Sequence, residues 1–431
     1  MQVNGVDTAA PGDASQAAAE AGGPAPAAQG SWFARAGVDV RLASLVLALA
    51  VIWLGLAVLT EGIFLSPRNL YNLSVQTCVT AVMACGMVFV IVARQIDLSV
   101  GSLMAFTGML VAWVQVRWLG AETPGAWELS ILVGLVGGML VGLFQGWWTA
   151  YREVPAFVVT LAGYLIWRGS AFLVADGQTL APLSQSYQTL GGGVQGSIGT
   201  LWSWIAGLAA CAVIVANTWH ARRSRARYAA AAAPLWVDVI KAGVLCGAVL
   251  GFVAVVSAYP DPSQAVEPGQ TRPGKGIPVP VLLLGAVAVV LHVVATRTRF
   301  GRYVFAYGGN PEAALLSGLP TRRVLVAIFA LMGALAALAS VITTARLNSG
   351  THSIGQMAEL YVIAATVIGG TSLAGGVGTI PGAIVGALLI QSLDNGMVLL
   401  DVSSPMRQIF IGLILILAVW FDVVYNRKGV R

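Results

Sequence analysis

Two stretches of this chain set polar groups and freed backbone inside sequence that is otherwise almost wholly apolar. In the first, Arg94-Gln95-Ile96-Asp97-Leu98-Ser99-Val100-Gly101 brings a guanidinium, an amide, a carboxylate and a hydroxyl between two hydrophobic runs. Ionisable groups at membrane depth are costly, and they face a cavity or a partner. Spacing alone leaves a second reading open, a short cytoplasmic turn in which Asp97 or Ser99 caps the following helix. In the second stretch, five of the ten residues 369–378 are glycine. Each glycine costs about 1 kcal/mol relative to Ala in a helix interior, so an ordinary helix cannot continue there. Backbone groups released at membrane depth need protein or water as partners. Thr371 and Ser372 add hydroxyls, and Gly375 and Gly376 leave room around them. The stretches also correspond: Asp97-Leu98-Ser99 aligns with Ser372-Leu373-Ala374, each following one hydrophobic run and preceding another. Interrupted hydrophobic segments paired between two halves of a chain point to a transport site. Glycines serving only tight helix packing are the alternative, and the parallel between the halves favours the pathway.

A third stretch suits docking. Within the basic segment 297–322, Asn310 is a good N-cap, Pro311 fits the first helical position and Glu312 complements the helix dipole. Gly318 can close the helix. The expectation is one short helix with an apolar face at Ala314-Leu315, projecting from the cytoplasmic side, with Arg302, Gly309 and Ala313 around it. A helix lying flat at the membrane surface is the competing reading. Gly269 to Gly276 imitates a phosphate loop around Lys275, but Gly276 stands where Ser or Thr would bind magnesium. The chain is therefore expected to bind no ATP, and Lys275→Ala is expected to be silent. Cys78, Cys85, Cys211 and Cys246 all fall in apolar runs, and the three histidines lack metal-ligand spacing. No metal and no cofactor are expected.

These stretches need long apolar elements to hold them. Of 431 residues, 57% are hydrophobic and only 10% charged, against roughly 25% charged in soluble domains. That excludes a soluble enzyme or a nucleic-acid-binding protein. The net charge of +6 sits in short clusters between apolar runs, so it reads as membrane orientation rather than nucleic-acid contact. Taking about 20 apolar residues per crossing, the sequence offers twelve spans: 42–60, 70–93, 98–119, 128–150, 155–175, 199–219, 236–258, 279–296, 323–345, 360–376, 380–400 and 406–424. Ten would remain if one hairpin were re-entrant. With the N-terminus inside, cytoplasmic segments hold sixteen Lys and Arg and outer loops six, so both termini are expected in the cytoplasm. Residues 1–34, rich in Ala, Gly, Ser and Pro, read as a disordered cytoplasmic tail ahead of a transmembrane domain over 35–431. No basic region precedes an apolar one there, so the tail does not read as a secretion signal. The fold class is an all-α polytopic integral membrane protein.

The chain resembles the permease family of bacterial ABC sugar importers, the group that contains ribose and xylose permeases. The resemblance is carried by Ile96 to Gly101, Val154 to Leu161, Phe300-Gly301-Arg302, Gly309-Asn310, Glu312-Ala313-Ala314 and Ile368 to Gly376. Asp394-Asn395-Gly396-Met397 and the hairpin at 199–258 are similar to the xylose branch, while Arg94-Gln95 departs from the small residues many relatives have there. The resemblance implies a non-enzymatic subunit in the bacterial inner membrane that works as a pair. A separate cytoplasmic ATPase and an extracytoplasmic sugar-binding protein would be its partners. It implies import of a monosaccharide, a pentose such as xylose, by alternating access. A neutral cargo agrees with the lack of an evident buried charge cluster. The rivals are a proton-coupled secondary sugar carrier and a channel-like or structural membrane protein.

Overall fold

Apolar runs of about twenty residues fold as helices because a helix satisfies its own backbone where water cannot. The structure, a computed structural model, describes residues 40–227, 234–262 and 272–428. The proposed tail at 1–34 and residues 269–271 of the phosphate-loop imitation lie outside that range. Among the described residues there is no β-strand, only isolated bridges between loops. The helices are α1 (Val40–Leu59), α2 (Pro67–Val92), α3 (Val100–Trp113, continued by a π-helical stretch Val114–Leu119), α4 (Ala126–Tyr151), α5 (Ala156–Leu173) and the single turn α6 (Gln185–Gln188). They are followed by α7 (Gly199–Arg227), α8 (Leu235–Ser257), α9 (Val279–Arg297), α10 (Arg299–Gly309), α11 (Pro311–Leu316) and α12 (Thr321–Leu347). The last are α13 (Ala358–Ile368), α14 (Ile380–Leu399) and α15 (Ser404–Lys428).

Each of the twelve expected spans falls on one of these helices, and nine helices among the described residues are long and apolar enough to cross a membrane by length and composition. The expected span at 360–376 is corrected. Its helix, α13, has 11 residues, about 16 Å at 1.5 Å per residue, roughly half of a bilayer core. It stops at Gly369 because the glycine loop turns there instead of carrying the hydrophobic run onward.

The core lies around α2, where every residue from Thr80 to Ala93 is buried against α9, α12, α13 and α14. Small residues let the other helices approach. A Cβ on Gly142 would run into the Phe329 carbonyl, and one on Gly333 into that of Gly138, so α4 and α12 touch backbone to backbone. The hairpin α7–α8 is peripheral. It meets α2 through Val253, Val256, Tyr71 and Val75, and most of its apolar surface faces outward. At its outer end Lys275 is 4% exposed. Its ammonium donates to the Gly193 carbonyl at 2.5 Å and lies 4.6 Å from the centre of the Tyr71 ring. Burial holds that ammonium below the ordinary lysine pKa, with nearby Asp261 opposing the shift. The expectation that Lys275→Ala is silent gives way to a structural role, because this side chain pins the hairpin to α2.

Candidate functional site

The first interruption begins where α2 ends. Ala93 closes the helix, and the Arg94 and Gln95 amides donate back to Ile91 and Val90 at 2.8 and 3.0 Å. Arg94 itself adopts φ +60°, the left-handed conformation that reverses the chain. Asp97 and Ser99 are then buried at 1% and 0% exposure, so this is no solvated turn. Asp97 Oδ1 accepts from the Ser99 amide at 2.8 Å and from its hydroxyl at 2.6 Å. Ser99 Oγ in turn accepts from Gln145 Nε2 of α4 at 3.0 Å, and Thr160 of α5 donates to the Ile96 carbonyl at 3.2 Å. Ser99 heads α3 without a capping bond from its side chain, which is committed to Asp97 and Gln145. Gly101 lies so close to Gly355 that a Cβ would meet the Gly355 carbonyl and the Glu359 carboxylate.

The second interruption uses backbone where the first uses side chains. After α13 the Thr371 amide donates to Thr366 at 3.1 Å, the Ser372 amide to Val377 at 3.0 Å and the Gly375 amide to Ser372 at 3.0 Å. Gly370, Gly375 and Gly376 all have positive φ. Thr379 restarts the helix by accepting from the Gly382 amide at 3.1 Å, with a proline in the first turn. The expected correspondence has a physical counterpart. Asp97 accepts the amide two residues on at 2.8 Å, and Ser372 accepts the Ala374 amide at 3.3 Å. Thr371 is fully buried, and its Oγ1 has no hydrogen-bond partner.

The two interruptions meet. The Gly376 amide donates to the Val92 carbonyl at 2.9 Å. Gly375 packs on the Arg94 side chain, and a Cβ there would also sit 2.7 Å from the Gly308 carbonyl. Arg94 does not pair with Asp97. Its Nε and Nη2 donate to the Gly308 and Gly309 carbonyls at 2.7 and 2.8 Å. One guanidinium therefore ties the end of α2 to the end of α10. Gln95, half-buried, reaches only the Ala93 carbonyl at 3.2 Å.

The expected short helix forms as α11, and a second helix that was not expected precedes it. Residues Arg299–Gly309 form α10, started by Thr298, whose hydroxyl accepts from Gly301 at 3.2 Å. Asn310 ends α10 and caps the six-residue α11, accepting from the Ala313 amide at 3.0 Å. Gly318 closes α11 with φ +77°. The apolar face is shifted from the expectation. Ala314 is 4% exposed and packs inward, whereas Leu315 and Leu316 are 64% and 88% exposed. Glu312 and Ala313 are exposed, as is Arg302, which reaches the Arg297 carbonyl at 3.5 Å. Arg94, Gly309, Asn310, Pro311 and Glu312 enclose a cavity of about 350 Å³.

Sequence reading missed Gln145 and Glu359, and it met Thr160 only within the run Val154 to Leu161, with no role assigned. A lone amide or carboxylate in an apolar helix was the available signal. The expected lack of a buried charge cluster is also corrected. Glu359 is 7% exposed beside Asp97, its Oε2 has no partner, and Arg168 of α5 donates to the carbonyls of His352 and Ile354 at 2.8 and 2.9 Å nearby. The site therefore offers hydroxyl, amide and carboxylate groups at a helix break with no metal-binding cluster among the described residues.

Broken apolar helices around buried polar groups, with a capped loop at one end, define a multi-pass membrane permease. The chain belongs to the family described as branched-chain amino acid transport system, permease component, whose profile matches residues 69–419. It is 40% identical over 391 residues to the xylose transport system permease protein XylH of Haemophilus influenzae, covering 91% of this chain and 98% of that one. Identity to the XylH of Escherichia coli K12 is 40% over 392 residues, covering 91% and 94%. The ribose import permease protein RbsC of E. coli K12 is more distant, at 31% over 365 residues, covering 85% and 88%. No solved structure matches the chain.

Proposed function

We propose that this chain is the membrane subunit of an ATP-driven importer that carries a pentose, xylose, into the cytoplasm by alternating access. It sits in the bacterial cytoplasmic membrane, takes ATP energy from a separate cytoplasmic subunit and receives sugar from an extracytoplasmic binding protein. Two copies work together. Cargo passes the paired interruptions, where Arg94, Gln95, Asp97, Ser99, Gly101, Thr371, Ser372, Gly375 and Gly376 lie. Arg302, Gly309, Asn310, Glu312, Ala313, Ala314 and Gly318 build the segment on which the ATPase docks. The similarity to xylose permeases supports the cargo.

The observation that carries the coupling is Arg94. It bonds to the last carbonyls of α10 and packs on Gly375, so a push on α10–α11 reaches both interruptions through one side chain. The test is xylose uptake by proteoliposomes holding this chain with its ATPase and binding protein. Replacing both Leu315 and Leu316 by Asp, or Glu312→Lys, is expected to separate ATP hydrolysis from uptake. Normal uptake and ATPase recruitment in these variants overturn the docking assignment. Uptake that an uncoupler abolishes while ATP stays high overturns the ATP-driven reading in favour of a proton-coupled carrier, with Asp97 and Glu359 as its relay.

A further inference from the structure

At the ends of α13 and α15 remote from the glycine loop lies a second polar cavity, of about 340 Å³, lined by Tyr164, Gln356, Met357, Tyr361, Ser404, Arg407 and Gln408. That size falls within the roughly 300–1,000 Å³ of small-molecule sites. We propose that it is a binding subsite for a neutral sugar, occupied before the sugar reaches the interruptions. The proposal rests on the pentose-importer reading above and adds to it the residues that select the cargo.

The chemistry of the lining argues for a neutral, polyhydroxylated ligand. Arg407 Nη1 pairs with Asp394 Oδ1 at 3.1 Å, so the one charged residue of the lining is already compensated and an ionic ligand would unbalance it. Tyr361 reaches the same carboxylate oxygen at 3.4 Å, a long bond that leaves its hydroxyl free to turn toward a closer partner. Arg407 lines the cavity, and its Nε is buried without a hydrogen-bond partner, so a small shift of the side chain would let a ligand oxygen satisfy it. Gln356 and Gln408 each add one acceptor and two donors. Neighbouring hydroxyls of a sugar both donate and accept, which is what amides, hydroxyls and a guanidinium lining one cavity can satisfy. The rings of Tyr164 and Tyr361 supply apolar faces for the sugar's C–H surface.

The lining is also held in place from behind. Arg168 donates to the carbonyls of His352 and Ile354, fixing the loop that delivers Gln356. Its guanidinium lies 6.0 Å from the centre of the Tyr164 ring. From this cavity α13 runs to Ile368 at the second interruption, and α14 returns from Ile380 toward Leu399 beside the start of α15. The cavity and the glycine loop are thus opposite ends of one short helix, with Tyr361 at the first and Thr371 beyond the second.

Two measurements on the reconstituted importer test this. Arg407→Lys keeps the charge but removes the Nε donor, and Gln408→Leu removes the amide. Each is expected to lower xylose uptake about tenfold, a loss of one or two hydrogen bonds to cargo, while the ATPase subunit still co-purifies. Tyr361→Phe is expected to change the preference for xylose over ribose and arabinose. In a background free of other cysteines, Gln356→Cys is expected to react with a water-soluble thiol reagent more slowly when xylose is added. Wild-type uptake in all three variants, together with labelling indifferent to xylose and to every other neutral sugar tried, overturns the subsite. A wild-type importer that takes up no pentose overturns the functional reading instead, and protection of the introduced thiol by a different neutral sugar would still support the subsite.

Discussion

The interruption at 93–99 and the one at 369–379 both break an apolar run and are built from different chemistry. Asp97, Ser99, Gln145 and Thr160 hold the first through side-chain hydrogen bonds drawn from three parts of the chain. The second is held by its own amides and by glycines that let backbone touch Arg94, Gly308 and Val92. A break made of side chains fails when an acceptor is lost. A break made of close backbone approach fails when a Cβ is gained. The difference also suits their positions. The second lies against α10, where Gly375 and Gly376 approach the backbone of Gly308 and Gly309, whereas the first is fixed by a hydrogen-bonded network.

The largest expected effect is therefore steric and falls on the second interruption. Gly375→Val places a branched side chain at φ +85° and into Arg94. The left-handed conformation alone costs roughly 1–2 kcal/mol, and overpacking adds typically about 1–3 kcal/mol. Uptake should be abolished and the melting temperature in detergent should drop. Gly308→Ala should do the same from the other side, because its Cβ would overlap the Val92 carbonyl. If both variants transport normally, the contact between the two interruptions is not part of the cycle.

Smaller, and of opposite character, is the effect of shortening Asp97. Asp97→Ala leaves the buried Ser99 amide without its acceptor, while the hydroxyl can still donate to Gln145 Oε1, at about 1–3 kcal/mol for a stranded group. Asp97→Asn keeps a carbonyl oxygen in nearly the same place and should recover most of the stability. The pair is read by melting temperature, then by uptake. If Asn restores stability but not uptake, the carboxylate does something for the cargo beyond holding the turn. Equal melting temperatures for Ala and Asn would mean that the Asp97–Ser99 bonds contribute little.

Much of this arrangement was legible in the residues. Asp97 and the glycines at 369–378 stood out because polar groups and helix breakers are conspicuous in apolar sequence, and the alignment of Asp97-Leu98-Ser99 with Ser372-Leu373-Ala374 matches the shared two-residue hydrogen bond. Asn310, Pro311 and Gly318 marked α11 by their capping chemistry. What stayed hidden depended on long-range packing. The glycines at 369–378 announced a break, but the expected span still ran on to residue 376 because Leu373 prolongs the apolar pattern past the point where Gly369 turns the chain. α10 was missed because its Thr298 cap lies one residue after α9 ends. Nothing in the sequence places Arg94 beside Gly308, more than two hundred residues away, or brings Glu359 to Gly101. Ala314 looked like an outer face because a short capped helix does not reveal which side its neighbours cover.

The smallest expected effect is the one that best separates packing from transport. Thr371 Oγ1 is buried at the second interruption with no protein partner. A buried hydroxyl left unsatisfied is itself destabilising, and replacing it by a methyl of the same shape is nearly neutral or stabilising. Thr371→Val should therefore leave the melting temperature unchanged or raise it slightly. Ser372→Ala should lower it, since Ser372 Oγ accepts the Ala374 amide. If Thr371 keeps its hydroxyl for passing water or sugar, the valine variant should nonetheless import xylose more slowly, by the severalfold that one hydrogen bond of about 0.5–1.5 kcal/mol would supply. A valine variant as fast as wild type would mean that the second interruption serves only to bend the chain and that the cargo's hydroxyls are met by the first. Slower uptake with undiminished stability would place the cargo against the glycine loop, because no loss of folding could account for it.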